Sequence, residues 1–477
     1  MKSLILSRSK FFRILLGFSI LGFSGCQKDL LNTENTDVPE SVTTTVESVM
    51  PANFMVITKS ETLPADFEKK ITSYGRIVNL IPEIGVVVVS PTVSNFEMKV
   101  SKLMEVQAVV PDLVTKWIGP IDFIDESNPP SIGDDEIRFP NQWGLDAINA
   151  PEAWNAGYTG NNAKVFILDS GIDAEHPDLA PNLNKDLCTS FVPGESYNVK
   201  DKLFFNHGTH VAGIIAAADN SWGVIGVAPN AEIVAVKVLS EETGSGSFSG
   251  INAGIVYAAD NGADVINMSL GATVNRNGFY YDENDVLQKV PAVVIQNLIL
   301  AQQRAVTYAH RKGAVIVSSA GNDYANADGN AALFKLPAQL QFVIAVSATA
   351  PNYWYSDLVK GTLNVNFDIP ASYTTYGKSL VDLAAPGGDF DYSPKPYYYF
   401  DMVYSTTSMG FAWASGTSMA APHVAGVAAL IIGKNEGKMS PEAIQLKLYE
   451  TADNIDGNGV TAYFGKGRVS AFRAVTE

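Results

Sequence analysis

The sequence predicts an α/β fold, a mostly parallel sheet with helices on both faces, preceded by a small α+β domain of order βαββαβ. Three observations carry this reading. Apolar, β-branched runs at 164–168, 232–239, 264–268, 314–319 and 342–347 alternate with helical stretches near 207–218, 249–261, 297–312 and 418–432, the pattern left by parallel strands joined through crossover helices. The runs are mainly apolar rather than alternating, as strands covered on both faces require. At 477 residues, 46% of them hydrophobic and 17% charged, the chain can bury such a core and still hold a second unit.

That second unit is read between 51 and 115. Phe54-Met-Val-Ile-Thr reads as a strand, 65–73 as a helix, Arg76-Ile-Val-Asn-Leu-Ile and Gly85-Val-Val-Val-Val-Ser as strands, 94–104 as a helix and Val106-Gln-Ala-Val-Val as a closing strand. Residues 116–140 form a linker rich in Pro, Gly and acids, including Asn128-Pro-Pro-Ser-Ile-Gly-Asp-Asp-Glu. Proteolytic nicking concentrates in segments of this kind. The parallel sheet belongs to 141–477.

At the amino end, Lys2, Arg8, Lys10 and Arg13 precede an apolar run from Ile14 to Phe23, too short for a lasting membrane span and followed by Ser24-Gly25-Cys26. This marks 1–25 as an export signal. Small residues before a Cys resemble a bacterial lipoprotein box, in which Cys26 is lipidated. The alternative is an ordinary secretory signal with an incidental Cys. Gln27 after the Cys points to an outer-membrane or cell-surface lipoprotein, with secretion as the alternative. Residues 26–50, rich in Thr, Ser, Asn and Glu, read as a tether. Contact with a membrane is expected only through the lipid, since no later run has membrane length. The chain has two cysteines, so lipidation of Cys26 leaves Cys188 unpaired, a small buried apolar residue. A net charge of −17 without a compensating Lys/Arg cluster excludes a nucleic-acid partner.

Three distant segments carry chemistry: Val165-Phe-Ile-Leu-Asp169-Ser-Gly, Asn206-His207-Gly-Thr-His210-Val-Ala-Gly and Ser415-Gly-Thr-Ser418-Met-Ala-Ala-Pro-His-Val-Ala-Gly. They offer a carboxylate, an imidazole and a hydroxyl. An alcohol is a poor nucleophile at neutral pH, so Ser418 needs a base to take its proton as it attacks a carbonyl carbon. The His207 imidazole titrates near neutrality and can return that proton to the leaving amine. Asp169, delivered at a strand's carboxyl end, would orient the ring and stabilise the imidazolium. Ser418 opens a helix whose amino-terminal N–H groups suit a developing oxyanion.

Each segment alone has a plainer reading. Asp-Ser-Gly after a strand is a common turn, His-Gly-Thr-His is a weak metal pair lacking the zinc-helix Glu, and Gly-Thr-Ser suits a helix cap. Their conjunction, each at a strand end or a helix start, favours one site. The remaining histidines are read as structural. His210 and His423 belong to helix packing, His176 to a surface turn and His310 to a polar helix.

At these residues, in the order Asp, His, Ser, the chain resembles the subtilisin-like serine peptidases of the subtilase family. The resemblance implies an endopeptidase acting on polypeptides through an acyl-enzyme, with no cofactor for catalysis and acting as a monomer. It gives Asn322 of Ala320-Gly321-Asn322 the role of oxyanion donor. It makes Gly244, Ser245, Gly246, Ser269, Leu270, Gly271, Ala320 and Gly321 walls for an extended peptide, paired through its backbone. It gives 51–115 the part of an inhibitory pro-domain cleaved off within 116–140, a substrate-binding module being the alternative. It matches Gln142, Asp178, Ala218, Asn220, Trp222 and Val224 to the ligands of a structural calcium. Asp323, next to Asn322, is either an acid favouring basic side chains in the first pocket or a solvated turn residue. Thr273 to about Leu298, 353–367 and 394–400 read as long loops beyond the family's pattern. The competing class is a catalytically dead binding protein on the same fold.

Overall fold

The first strands of the chain build a sheet that is apolar on both faces, and each face has a different partner. The structure, a computed structural model, describes residues 53–118, 123–124, 135–200, 202, 205–352, 354, 365–390, 398–408, 410–455, 457 and 459–477. The predicted export signal, Cys26 and the tether lie outside the described residues, as do most of 116–134, 353–364 and 391–397.

Strands β1 (Phe54–Thr58), β2 (Gly75–Ile81), β3 (Val86–Pro91) and β4 (Val106–Pro111), with helix α1 (Phe67–Ile71) after β1 and α2 (Phe96–Val100) after β3, realise the βαββαβ order. The sheet is antiparallel in the order β2-β3-β1-β4. Phe54, Val56, Val87 and Val89 pack under α1 and α2. Met55, Ile57, Val86 and Val88 point the other way, into the core of the larger unit. Both helices are shorter than their apolar pattern predicts. A further strand, β5 (Val114–Lys116), leaves this sheet for the cleft described below.

The large sheet is built from β6 (Lys164–Asp169), β7 (Glu232–Lys237), β9 (Val265–Met268), β13 (Val315–Ser319) and β15 (Val343–Ala350), all predicted within a few residues, with β16 (Leu383–Pro386) beside β15. Its parallel order runs β16-β15-β13-β9-β6-β7. Val165 and Ile167 of β6 face α3 (His207–Ala216) and α6 (Thr417–Lys434). Phe166 and Leu168 face α4 (Phe248–Asp260) and α5 (Ala292–Arg311), where the small domain also docks. Helices on both faces explain why β6 is apolar at every position from Val165 to Leu168.

The stretch from Thr273 to Leu298 is not a loop. It holds β10 (Ala272–Asn275), a hairpin of β11 (Phe279–Tyr281) and β12 (Leu287–Lys289), and the first turns of α5. With β14 (Leu333–Leu336) these strands form a second sheet in the order β12-β11-β10-β14. Its strands are only three or four residues long and broken by Gly278 and Asp282, too short for a period to register. A hairpin of β17 (Val403–Thr407) and β18 (Gly410–Ala414) precedes α6. Its Ser405 and Thr406 hydroxyls cap backbone carbonyls of α3.

Candidate active site

Asp169 stands at the carboxyl end of β6, and His207 opens α3 directly above it. The helix begins there because the Asn206 side chain accepts from the Thr209 N–H at 2.8 Å, an amino-terminal cap worth about 1 kcal/mol. Gly208 is required by the close approach: a Cβ there would lie 2.2 Å from the carbonyl of Gly171. His207 Nδ1 lies 2.8 and 2.9 Å from the two carboxylate oxygens of Asp169. Asp169 also accepts from the Ser170 N–H at 2.7 Å. All three side chains, Asp169, His207 and Ser418, are buried.

Ser418 lies in the first turn of α6. Its Oγ donates to the Ser269 carbonyl at 3.2 Å, and Ser269 Oγ returns a bond to the Ser418 carbonyl at 2.8 Å. His207 Nε2 meets no hydrogen-bond partner among the described residues. The hydroxyl is thus turned to Ser269 and the ring nitrogen is left open; in nucleophile–base pairs such bonds commonly tighten only when substrate binds.

Asn322 follows β13 and leans across to the same helix. Its Oδ1 accepts from the Thr417 backbone N–H at 2.9 Å and the Thr417 hydroxyl at 2.7 Å. The amide oxygen is thereby consumed, and the amino nitrogen lies 3.4 Å from where a Cβ on Gly416 would stand. Gly321 reaches this position with φ +108, and its N–H donates to Thr417 Oγ1 at 3.1 Å. Thr417 N–H goes to Asn322, and the Met419 and Ala420 N–H groups go to Gly416 O. Ser418 keeps the first-turn N–H that these bonds do not use. A carboxylate-oriented imidazole on α3, and a hydroxyl and amide donors at the start of α6, are the groups that acyl transfer uses.

Chain 160–467 matches the model of the subtilase family, Peptidase_S8, well over half of the 477 residues. The chain belongs to the subtilase family. This subtilase is 38% identical to thermitase of Thermoactinomyces vulgaris over 341 residues, covering 70% of this chain and 95% of thermitase. It is 36% identical to subtilisin E of Bacillus subtilis (strain 168) over 329 residues, 69% of either chain. In fold it is similar to the epidermin leader peptide processing serine protease of Staphylococcus aureus, with a TM-score of 0.69 at 23% identity over 89% of this chain and 97% of that one. It is a serine endopeptidase acting on polypeptides, a chemistry that needs no catalytic cofactor.

The small domain's exit strand runs through the subtilase's cleft. β5 pairs antiparallel with β8 (Ser245–Ser247), setting Lys116 opposite Ser245 and Thr115 opposite Gly246. Trp117 then donates its N–H to Gly244 O at 3.3 Å and accepts from the Gly271 N–H at 2.8 Å. Its buried indole donates to Gly246 O at 2.8 Å and meets the Phe248 ring edge-on. Burying an indole gains on the order of 4–6 kcal/mol at ~25 cal/mol per Å². The inserted hairpin adds an outer wall: Tyr281 O accepts from the Thr115 hydroxyl, and Asp285 pairs with Lys116 at 2.7 Å. Leu270 and Ala320 are buried beneath the walls.

Asp323 is no solvated turn acid. It pairs with the buried Lys335 ammonium, a partner twelve residues away in β14 that sequence reasoning missed, and with the Thr273 hydroxyl at 3.1 Å. His176 is no surface residue either: it is buried between Trp222 and Phe411 and bonded to Gly410 O at 2.9 Å. His210 and His423 are buried on backbone carbonyls, of Ala412 and Met419, and His310 is buried in contact with Phe342 and Glu442. Among the described residues Cys188 has no disulfide partner, and burial pushes its thiol up to about 11.

The segments matched to calcium ligands meet around Asp178. Its buried carboxylate accepts from Asn220 Nδ2 at 3.1 Å and the Val224 N–H at 2.9 Å, while its carbonyl accepts from the Ala218 N–H. Desolvation pushes the carboxyl up to about 6. Asp135, Glu136 and Asp219 bring three more carboxylates within 4.8 Å of one another beside this loop, and Glu136 accepts from the Asn220 and Ser221 N–H groups. The Asp178 carboxylate is held by N–H donors, and the oxygens a hard cation wants are gathered beside it by Asp135, Glu136 and Asp219. Gln142 departs from the expected set, with both amide atoms bonded to the Ile225 backbone. Trp222 stands half-exposed over His176.

Proposed function

We propose that this subtilase is made as an exported, self-inhibited precursor that cleaves itself and then hydrolyses peptide bonds through Ser418. The observation that carries the reading is the β5 strand, which pairs with the Ser245–Ser247 wall as an extended substrate would. Ser418 Oγ attacks the scissile carbonyl carbon while His207 Nε2 takes its proton. Asp169 holds the other ring nitrogen and stabilises the imidazolium without accepting the proton. The oxyanion is received by the Ser418 N–H and Asn322 Nδ2. His207 returns the proton to the leaving amine, and water repeats the sequence on the acyl-enzyme.

In this reading 51–115 is the inhibitory pro-domain, 116–140 holds the processing bond and 141–477 is the mature enzyme. Gly244–Gly246 and Ser269–Gly271 hold substrate backbone, with Ala320 and Gly321 beside the reacting carbonyl. The signal at 1–25 exports the chain and Cys26 anchors it. Asp178, Asn220 and the carbonyls of Ala218, Trp222 and Val224 would hold a calcium ion, whose charge would offset the buried Asp178 carboxylate.

A fluorophosphonate probe tests the chemistry. Labelling of Ser418 in the processed protein, lost in Ser418→Ala, is expected. The amino terminus of the exported wild type is expected within 116–140, and that of Ser418→Ala upstream of it. Equal labelling of both proteins would end the catalytic assignment, and identical termini the self-processing.

A further inference from the structure

The exit strand is held by two elements in unlike ways. β8 pairs with its backbone, which sets Lys116 opposite Ser245 and Thr115 opposite Gly246. The inserted hairpin of β11 and β12 meets its side chains instead. The Thr115 hydroxyl donates to the Tyr281 carbonyl, and Lys116 Nζ lies 2.7 Å from Asp285 Oδ2. Backbone pairing accepts almost any sequence, so selection enters where a side chain is met.

The turn between β11 and β12 is built to hold Asp285 in that place. Asp282 braces it: Oδ1 accepts from the Asn284 N–H at 2.9 Å and the Val286 N–H at 3.0 Å, and Oδ2 accepts from Gln288 Nε2 at 2.7 Å. Asp285 takes φ +57 within the turn, a left-handed conformation that Asp adopts more readily than most residues. Lys289, the cation of β12, lies over the Phe279 ring, 5.0 Å from its centre, at the end of the hairpin away from the turn. The hairpin is also fixed relative to the cleft. β10, with which β11 and β14 pair, begins at Ala272, directly after the Gly271 N–H that holds Trp117. Gly278 closes the hairpin's base, where a Cβ would lie 2.0 Å from the Val290 carbonyl.

We infer that Asp285 makes the inserted hairpin a second recognition site for substrate, one that favours Lys or Arg at the upstream position that Lys116 occupies in the precursor. The inference deepens the reading that β5 lies where a substrate lies, and it rests on that reading. Once the small domain leaves, the Asp285 carboxylate loses its partner beside Ser245. A peptide that pairs with β8 in the same register sends one side chain to that point. A basic side chain re-forms the ion pair, and an acidic one meets a like charge. The position lies upstream of the scissile bond because the proposed processing bond follows β5. Asp285 is exposed and Lys116 only partly covered, so the preference is modest and weakens with salt.

The test compares kcat/KM on the full chain, expressed and processed, for peptides carrying Lys or Glu at one upstream position at a time. Ratios between peptides cancel any change in active fraction. At one position the wild type is expected to favour Lys over Glu by about fivefold at low ionic strength, attraction and repulsion acting together. The ratio is expected to fall toward unity near 1 M salt, where the Debye length is about 3 Å. Asp285→Asn, which suits the same turn conformation, should bring the ratio within about twofold of unity at low salt, and Asp285→Lys should invert it. Should Asp285→Lys not fold, Asp285→Asn decides alone. A wild-type ratio near unity at every upstream position, or a preference that survives both Asp285→Asn and high salt, overturns the inference. Fluorophosphonate labelling of Ser418 in the same samples separates the two failures. Labelled enzyme with a flat ratio removes the role of the hairpin alone, whereas absence of labelling removes the catalytic reading and this inference with it.

Discussion

In the proposed mechanism Thr417, adjacent to Ser418, decides which end of the Asn322 amide faces the reaction. Its hydroxyl and its backbone N–H both donate to Asn322 Oδ1, and the hydroxyl accepts from Gly321, so the amide oxygen is fixed and Nδ2 is the end left to the oxyanion. Thr417→Val keeps the backbone bond and loses the hydroxyl. A lost hydrogen bond of about 1–1.5 kcal/mol, acting on a donor used only in the transition state, lowers kcat about tenfold. KM is expected to stay within about twofold, and Thr417→Ser to restore kcat, outcomes that a merely structural role would not separate. The upper limit is removal of the donor itself, about 10²–10³ in kcat, a magnitude taken from a subtilisin rather than from this chain. Asp169, His207, Asn322 and Ser418 were legible in the sequence because each ends a strand or starts a helix within a short, distinctive phrase. Thr417 read only as a helix cap. Lys335 read as nothing, because it sits within Leu-Phe-Lys-Leu and acquires meaning only when β14 pairs with β10. His176 was misread because His-Pro-Asp-Leu describes a turn without disclosing that Trp222 and Phe411 close over it.

The elements show the same division. Long apolar runs were placed within a few residues because burial on two faces leaves no other pattern, whereas the short strands of the inserted hairpin and of β17 and β18 were hidden by turns. The hairpin extends the cleft beyond the walls expected by resemblance, through Tyr281 and Asp285 against the exit strand. The loop around Asp178 was anticipated only by resemblance, and its lining now gives it a measurable consequence. A calcium ion that binds the folded loop and not the unfolded chain stabilises by RT ln(1 + [Ca]/Kd), about 2.7 kcal/mol at a hundredfold excess over Kd. Raising calcium from chelated to millimolar levels is therefore expected to raise the melting temperature of Ser418→Ala, a background free of self-digestion. Asp178→Asn should remove that response. A melting temperature indifferent to chelator would leave the loop held by its own hydrogen bonds alone.

Across the whole molecule, burial has moved titrating groups in opposite directions, and the pH dependence of stability reports the balance. His210, buried between α3 and the β17–β18 hairpin, is pushed down to about 3 by desolvation, and His423 in α6 to about 4. Unfolded, both bind protons below about 6.5. Between those values the unfolded chain holds protons that the native protein does not, so these imidazoles stabilise fully above pH 6.5 and their contribution is lost as pH falls, by about 1.4 kcal/mol per pH unit each. Asp146 has the opposite sign. Desolvation, with the nearby Glu152 charge, raises its carboxyl to about 7. From there down to its unfolded value near 4 the native state holds the extra proton, so its contribution grows as pH falls. The wild-type slope is a difference between such terms, and single variants separate them. In urea unfolding of Ser418→Ala between pH 5 and 6.5, adding His210→Gln should lower the slope of stability against pH by about 1 kcal/mol per unit, the unfolded imidazole being only partly protonated at the upper end. Adding Asp146→Asn should raise the slope by about 1 kcal/mol per unit, because across this window the native carboxyl holds nearly one proton more than the unfolded one. If the two substitutions moved the slope the same way, the neutral imidazole in the core and the protonated acid near the surface could not both be features of the native state.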